Sequence, residues 1–146
     1  MKILILQVGK TKDKAYLAIE EEFLKRLRPF CDLETITIKT SDQDTENIEL
    51  QKRIPKKHII VALDLRGDQM PSRKFAGWLQ NERDHESGKV CFLIGGPHGF
   101  TDETLQKVDQ ILSLSQMTFT HQMVRLFLLE QIYRAFTIIN NKTYHY

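Results

Sequence analysis

Apolar and polar positions follow two periods along the chain. Ile3 to Val8 is a nearly continuous apolar run, interrupted at Gln7 and stopped by Gly9, which predicts a strand covered on both faces. Asp13 opens a helix in which Tyr16, Ile19, Phe23 and Leu27 recur at helical spacing. Glu20, Glu21, Glu22, Lys25 and Arg26 fill its other face, and Pro29 closes it. Leu33 to Ile38 alternates and predicts an edge strand with one wetter face. Residues 41 to 54 offer few large apolar side chains, and the pattern predicts a poorly anchored helix or a mobile segment. Ile59 to Leu63, Val90 to Ile94 and Ile111 to Leu114 predict three more buried strands. Between and after them come a helix opened by Pro71 and Ser72 with Phe75, Trp78 and Leu79 inward, a short helix near Thr101 or Asp102, and a long one over about His121 to Asn140. Strands and helices alternate throughout. The expected fold is therefore α/β, a mostly parallel sheet flanked by helices, in a single domain spanning residues 1–146. Ligands of such sheets bind beyond the carboxyl ends of the strands, here at loops 64–70, 95–100 and 115–120.

Composition narrows the picture. The 146 residues, 41% of them hydrophobic, suit one core. The first apolar run is too short for a signal peptide, and no later run is long enough to span a bilayer, so a soluble cytoplasmic protein without a membrane partner is expected. Cys31 and Cys91 are far apart and predict no disulfide, and His58, His85, His98 and His145 lack metal-ligand spacing, so no metal is expected. A formal net charge of +2 does not by itself announce nucleic acid. That role falls to local clusters: Lys10, Lys12 and Lys14, Arg66, Lys52 with Arg53, and Lys56 with Lys57 and His58.

Three stretches carry candidate chemistry. Gly95-Gly96-Pro97-His98-Gly99 follows a buried strand; Pro97 breaks a dinucleotide fingerprint and no lysine and hydroxyl pair completes a phosphate loop, leaving a ligand loop or a tight turn. In the segment from Leu112 to Phe119, Leu114, Met117 and Phe119 suit either a slot for an adenine ring or core packing. His121 and Arg125 stand four apart at the start of the last helix, either converging on a ligand or serving as a cap and a surface charge. From Val124 to Ile139 that helix is apolar nearly all round, which points to a shared dimer face or to a helix sandwiched by others. Glu130 and Arg134 read as a helix ion pair. The rings of Tyr144, His145 and Tyr146 can stack on an extruded base, or the tail frays.

Taken in order, Ile94 to Gly99, Leu112 to Phe119, His121 to Arg125, Glu130 to Ala135 and Tyr144-His145 resemble one family, the bacterial large-subunit rRNA pseudouridine N3-methyltransferases, minimal members of the SPOUT class. The resemblance runs from Val8-Gly9-Lys10 to the end of the chain. It implies a C-terminal trefoil knot, an obligate homodimer, S-adenosylmethionine as cofactor, and 23S rRNA within the ribosome as substrate. Carried over by motif, the cofactor contacts would come from Leu63, Gly95, Leu114, Ser115, Gln116, Met117, Thr118 and Phe119. The target base would meet Arg125, Tyr144 and His145, with both subunits contributing. His121 or His145 would take the N3 proton while Arg125 stabilises charge on the pyrimidine carbonyls. Thr120 stands where the family commonly has proline, and one residue follows the tail histidine. The rival readings are a knotted tRNA methyltransferase and a dimeric, non-catalytic ribosome-associated RNA-binding module.

Overall fold

The computed structural model describes residues 1–144. The elements run β1 (Lys2–Val8), α1 (Lys14–Leu27), β2 (Asp32–Ile38), α2 (Gln43–Arg53), β3 (Ile59–Asp68), α3 (Ser72–His85), β4 (Lys89–Ile94), α4 (Asp102–Leu105), β5 (Gln110–Leu112) and α5 (His121–Ile139). The strands form one parallel sheet in the order β2-β1-β4-β3-β5. β2 is an edge strand, as its alternation predicts. Successive side chains of a strand point to opposite faces, so the apolar strands feed two cores. Ile3, Ile5, Val61, Leu63, Phe92 and Ile94 pack with Leu27 of α1, Leu79 of α3 and Leu128, Ile132 and Phe136 of α5. On the other face Leu4, Leu6, Ala62, Cys91 and Leu93 pack with Leu50 of α2 and Phe100. Cys31 and Cys91 are buried and free.

The structure changes three expectations. In α1, Asp13 caps as predicted, its carboxylate accepting from the backbone N–H of Ala15 at 2.8 Å and of Tyr16 at 3.1 Å. Phe23 and Leu27 face the core as predicted, yet one turn departs from the pattern: Ile19 is 43% exposed, whereas Glu20 is 2% exposed. The reason lies in α5, which crosses α1 and meets Glu20 with Arg125. The segment over 43–53 is a firmly held helix. Asp42 caps it through Thr45 N–H at 2.9 Å, Leu50 is fully buried, and Glu46 and Asn47 are buried as well. Leu50 alone contributes about 2 kcal/mol by burial, and the polar pair anchors the rest through hydrogen bonds that no apolar periodicity reveals. Finally, β5 is shorter than predicted, because Ser113 and Leu114 leave the ladder.

β3 and β5 meet in a tight arrangement. Leu63 and Asp68 both lie beside Leu112, so residues 64–67 bulge around the end of β5, and Ser113 N–H donates to Asp68 O at 3.0 Å. Gly67 sits against the passing backbone, where a Cβ would lie 2.4 Å from Ile111 O and 2.7 Å from Leu112 N. Neither contact is with a flexible side chain, so the only relief is to move a strand. Gly67→Ala is expected to destabilise the protein by about 2–3 kcal/mol, read as a lower urea midpoint at unchanged m-value.

Candidate active site

The carboxyl ends of β3, β4 and β5 open into a cleft of about 850 Å³, inside the roughly 300–1,000 Å³ typical of cofactor sites. All three predicted loops reach it. Its apolar wall comes from Leu63, Ile94, Leu114, Phe119 and Val124, and the 95–99 loop with Ser113, Ser115 and Thr118 edges that wall. Leu112 to Ser115 and Phe119 also face a second cavity of about 510 Å³ on the side of α5 and the start of α3, so this loop is a thin partition.

α2 braces the glycine loop from below. Asn47 Nδ2 donates to Gly99 O at 3.1 Å while its Oδ1 accepts from Thr101 N–H at 3.0 Å, and Gln43 Nε2 donates to His98 O at 2.7 Å. Glu46 accepts from Ser41 N–H through Oε1, and its buried Oε2 has no hydrogen-bond partner among the described residues. Arg66, a candidate RNA contact from the sequence, spans the opposite wall. It donates to Asp64 through Nε at 2.8 Å, to Asp102 at 3.0 Å and to Phe100 O at 3.1 Å. Burial works to raise the Asp64 carboxyl, but hydrogen bonds from Arg66 outweigh it and hold Asp64 below its ordinary range. Arg66 is thus a strut between the 64–68 segment and α4.

The partition loop is locally ordered by its own side chains: Ser113 Oγ donates to Ser115 O at 2.8 Å, and Ser115 Oγ accepts from Met117 N–H at 2.9 Å. Phe119 is held edge-on against Phe127 at 5.1 Å between centroids, while Met117 is 73% exposed. Thr120 caps α5, its hydroxyl accepting from Met123 N–H at 3.4 Å, so a side-chain cap stands where a proline would set φ. His121 follows as the first helical residue, lines the cleft, and brings Nε2 over Gly9 at the end of β1.

The structure brings Leu63, Gly95, Leu114, Ser115, Met117, Thr118, Phe119 and His121 to one cleft. Gln116 and Arg125 are not among its lining residues. Arg125 turns toward α1, where its Nε lies 3.3 Å from Glu20 Oε2 and its side chain is 12% exposed. Tyr144 packs edge-on against Tyr133 at 5.0 Å, with the Arg134 guanidinium 4.6 Å over its ring. Tyr133 is twelve residues beyond His121, about 18 Å along the helix, so Tyr144 is far from its own cleft. His145 lies outside the described residues. Three contributors escaped the sequence reading. Asn47 sat in a stretch read as a poorly anchored helix or a mobile segment, Glu20 sat on the polar face of α1, and Gln122, whose Oε1 accepts from Lys12 N–H at 2.8 Å, ties the 10–13 loop to α5. Among the described residues no three His, Cys, Asp or Glu side chains form a metal-binding group, and no helix is long and apolar enough to cross a membrane.

This geometry joins a family assignment. A family model described as predicted SPOUT methyltransferase matches residues 1–145. The chain belongs to the SPOUT methyltransferases. It is 40% identical over 153 aligned positions to the ribosomal RNA large subunit methyltransferase H of Geobacter sulfurreducens, with all of both chains covered. The protein of that name from Halothermothrix orenii is 39% identical over 158 positions, with 99% of each covered. Among solved structures, a probable methylase family protein from Haemophilus influenzae Rd KW20 has a TM-score of 0.60 at 14% identity, over 99% of this chain and 70% of that one. A probable methyltransferase from Bordetella pertussis Tohama I also gives 0.60, at 11% identity over 91% and 93%. These two likenesses concern the fold alone. As a SPOUT enzyme the chain is an S-adenosylmethionine-dependent methyltransferase, and the cleft suits such a cofactor: an apolar slot for a purine ring lies beside exposed backbone groups that can fix its edge. Gly9 supports the SPOUT cleft from beneath His121. Its φ is +74°, and a Cβ there would lie 3.1 Å from Thr40 Oγ1 and 3.3 Å from His121 Nε2. Gly9→Ala should cost about 1–2 kcal/mol in urea unfolding and, by displacing His121, slow methyl transfer at temperatures where the variant is fully folded.

Proposed function

We propose that this SPOUT enzyme, as a single domain over residues 1–146, transfers a methyl group from S-adenosylmethionine to N3 of a pseudouridine in 23S rRNA, acting on the assembled ribosome as a cytoplasmic homodimer. The observation that carries this reading is the end-to-end identity with proteins named ribosomal RNA large subunit methyltransferase H. Family membership implies the trefoil knot, and the bulge of residues 64–67 around β5 agrees with it.

When bound, S-adenosylmethionine supplies an electrophilic sulfonium methyl group. Leu63 and Gly95, with Leu114, Ser115, Gln116, Met117, Thr118 and Phe119, would hold it, the apolar members covering the purine and the loop backbone fixing its edge. What remains for the protein is to place the acceptor nitrogen in line with the methyl group and to receive its proton. The N3 proton is too weakly acidic to leave unaided at neutral pH. His121, at the rim of the cleft, or His145 takes it, and Arg125 offsets the charge that develops on the ring carbonyls.

Arg125 and Tyr144 stand away from the cleft of their own chain, which supports a site completed by the partner subunit. The apolar surface that α1 and α5 leave uncovered, at Leu17, Ile19, Phe127 and Ile138, supports the same pairing. Mixing a cleft variant, Gly95→Trp, with Arg125→Ala under subunit exchange should regenerate activity that neither homodimer has. No recovery in verified heterodimers would exclude a shared site.

With labelled cofactor, the protein should methylate unmodified ribosomes at a pseudouridine and leave naked rRNA and tRNA largely unlabelled, as read by nucleoside mass spectrometry. Label confined to tRNA would establish the knotted tRNA methyltransferase instead. Tight cofactor-free binding to ribosomes without transfer would establish a binding module.

A further inference from the structure

Glu20 has no role in the cofactor cleft, yet it is among the most deeply buried charged groups in the protein, 2% exposed. Thr11 Oγ1 donates to its Oε1 at 2.5 Å, and its Oε2 lies 3.3 Å from Arg125 Nε. The Nε–H makes no aligned hydrogen bond, so charge attraction and confinement hold the pair together. No other interaction of Arg125 occurs among the described residues, and none of them partners its terminal nitrogens. Gln122 Oε1, one turn earlier on the same helix, accepts from the backbone N–H of both Lys12 and Asp13 and ties the start of α5 to the 10–13 loop. The arrangement is a guanidinium gripped on one edge with the other edge open.

We propose that Glu20 is a positioning residue for methyl transfer: by fixing Arg125 at Nε, it presents the terminal guanidinium nitrogens to the carbonyl oxygens of a uracil-like base. This rests on the role of Arg125 given under Proposed function. An apolar residue at position 20 would leave a long, rotamer-rich side chain to be ordered anew in every turnover, whereas the carboxylate orders it during folding. Preorganised donors act where charge develops in the transition state, so the effect falls on the chemical step and not on cofactor affinity.

The experiment uses the full-length enzyme with unmodified ribosomes and saturating S-adenosylmethionine in single turnover, with cofactor affinity measured by calorimetry. Glu20→Gln should slow transfer by about tenfold with cofactor Kd unchanged, and Glu20→Asp should recover part of the loss. In an Arg125→Lys background, Glu20→Gln should cause no further loss, because the group it orients has lost its fork. Thr11→Val, which leaves the carboxylate in place, should give a smaller loss in the same direction and serves if Glu20→Gln folds poorly. Wild-type rates in Glu20→Gln and Thr11→Val, or a Glu20→Gln loss that multiplies fully with that of Arg125→Lys, would overturn the proposal. A wild-type enzyme that methylates no ribosomal substrate would overturn the functional reading itself, an outcome distinguishable from the failure of Glu20 alone.

Discussion

Residues 64–67 pass around the end of β5 so closely that the backbone of Ile111 and Leu112 leaves no space for a methyl group on Gly67. That contact fixes where the chain emerges from β5, and so where the partition loop from Ser113 to Phe119 begins. It also fixes Leu63 beside Leu112, which sets two edges of the cleft in one register. The glycine loop on β4 joins them because β3 and β4 are hydrogen-bonded neighbours, with Leu63 opposite Ile94. The cleft is thus largely a consequence of three parallel strands ending together around one backbone crossing. Interiors are packed tightly enough that a small displacement there would be transmitted to all three loops.

Polar burial performs the remaining positioning. Asn47 under the glycine loop and Glu20 under Arg125 each join segments distant in sequence through buried groups that are costly to leave unpaired, while Gln122 adds an exposed tie from α5 to the 10–13 loop. Apolar contacts tolerate sliding, whereas a bidentate amide such as Asn47, donating to Gly99 and accepting from Thr101, specifies both distance and orientation. The arrangement of loops at the cleft therefore owes its definition to a few hydrogen bonds laid over a hydrophobic frame.

That division explains what was legible beforehand. The strands, the edge position of β2, the gathering of three loops and the limits of α5 follow from periods of two and 3.6 residues and from Asp13, Pro71 and Thr101 as boundary signals. Family motifs then marked the residues from Gly95 to Phe119 that line the cleft. Periodicity misjudged positions where a polar side chain turns inward. Glu20 sits among Glu21, Glu22 and Arg26, a context that reads as solvent, and only the crossing of α5 with its Arg125 draws this one carboxylate inward. The helix over 43–53 was missed as firm structure for the same reason: its anchors are Glu46 and Asn47, with one leucine. Nor does sequence spacing disclose that Arg125, four residues from His121, serves a different neighbour; a full turn of helix displaces it toward α1.

The order in which these pieces arise from the ribosome adds a temporal aspect. β5 and α5 are synthesised after β1 to β4, and β5 must settle beneath a 64–67 segment that already exists, so this long-range closure follows the pairing of the earlier strands. The wall containing Leu114 and Phe119, and the helix start containing His121, are completed in that step. Loading of the cleft would accordingly report finished folding, since the walls carrying Leu114, Phe119 and His121 form only once β5 and α5 are in place.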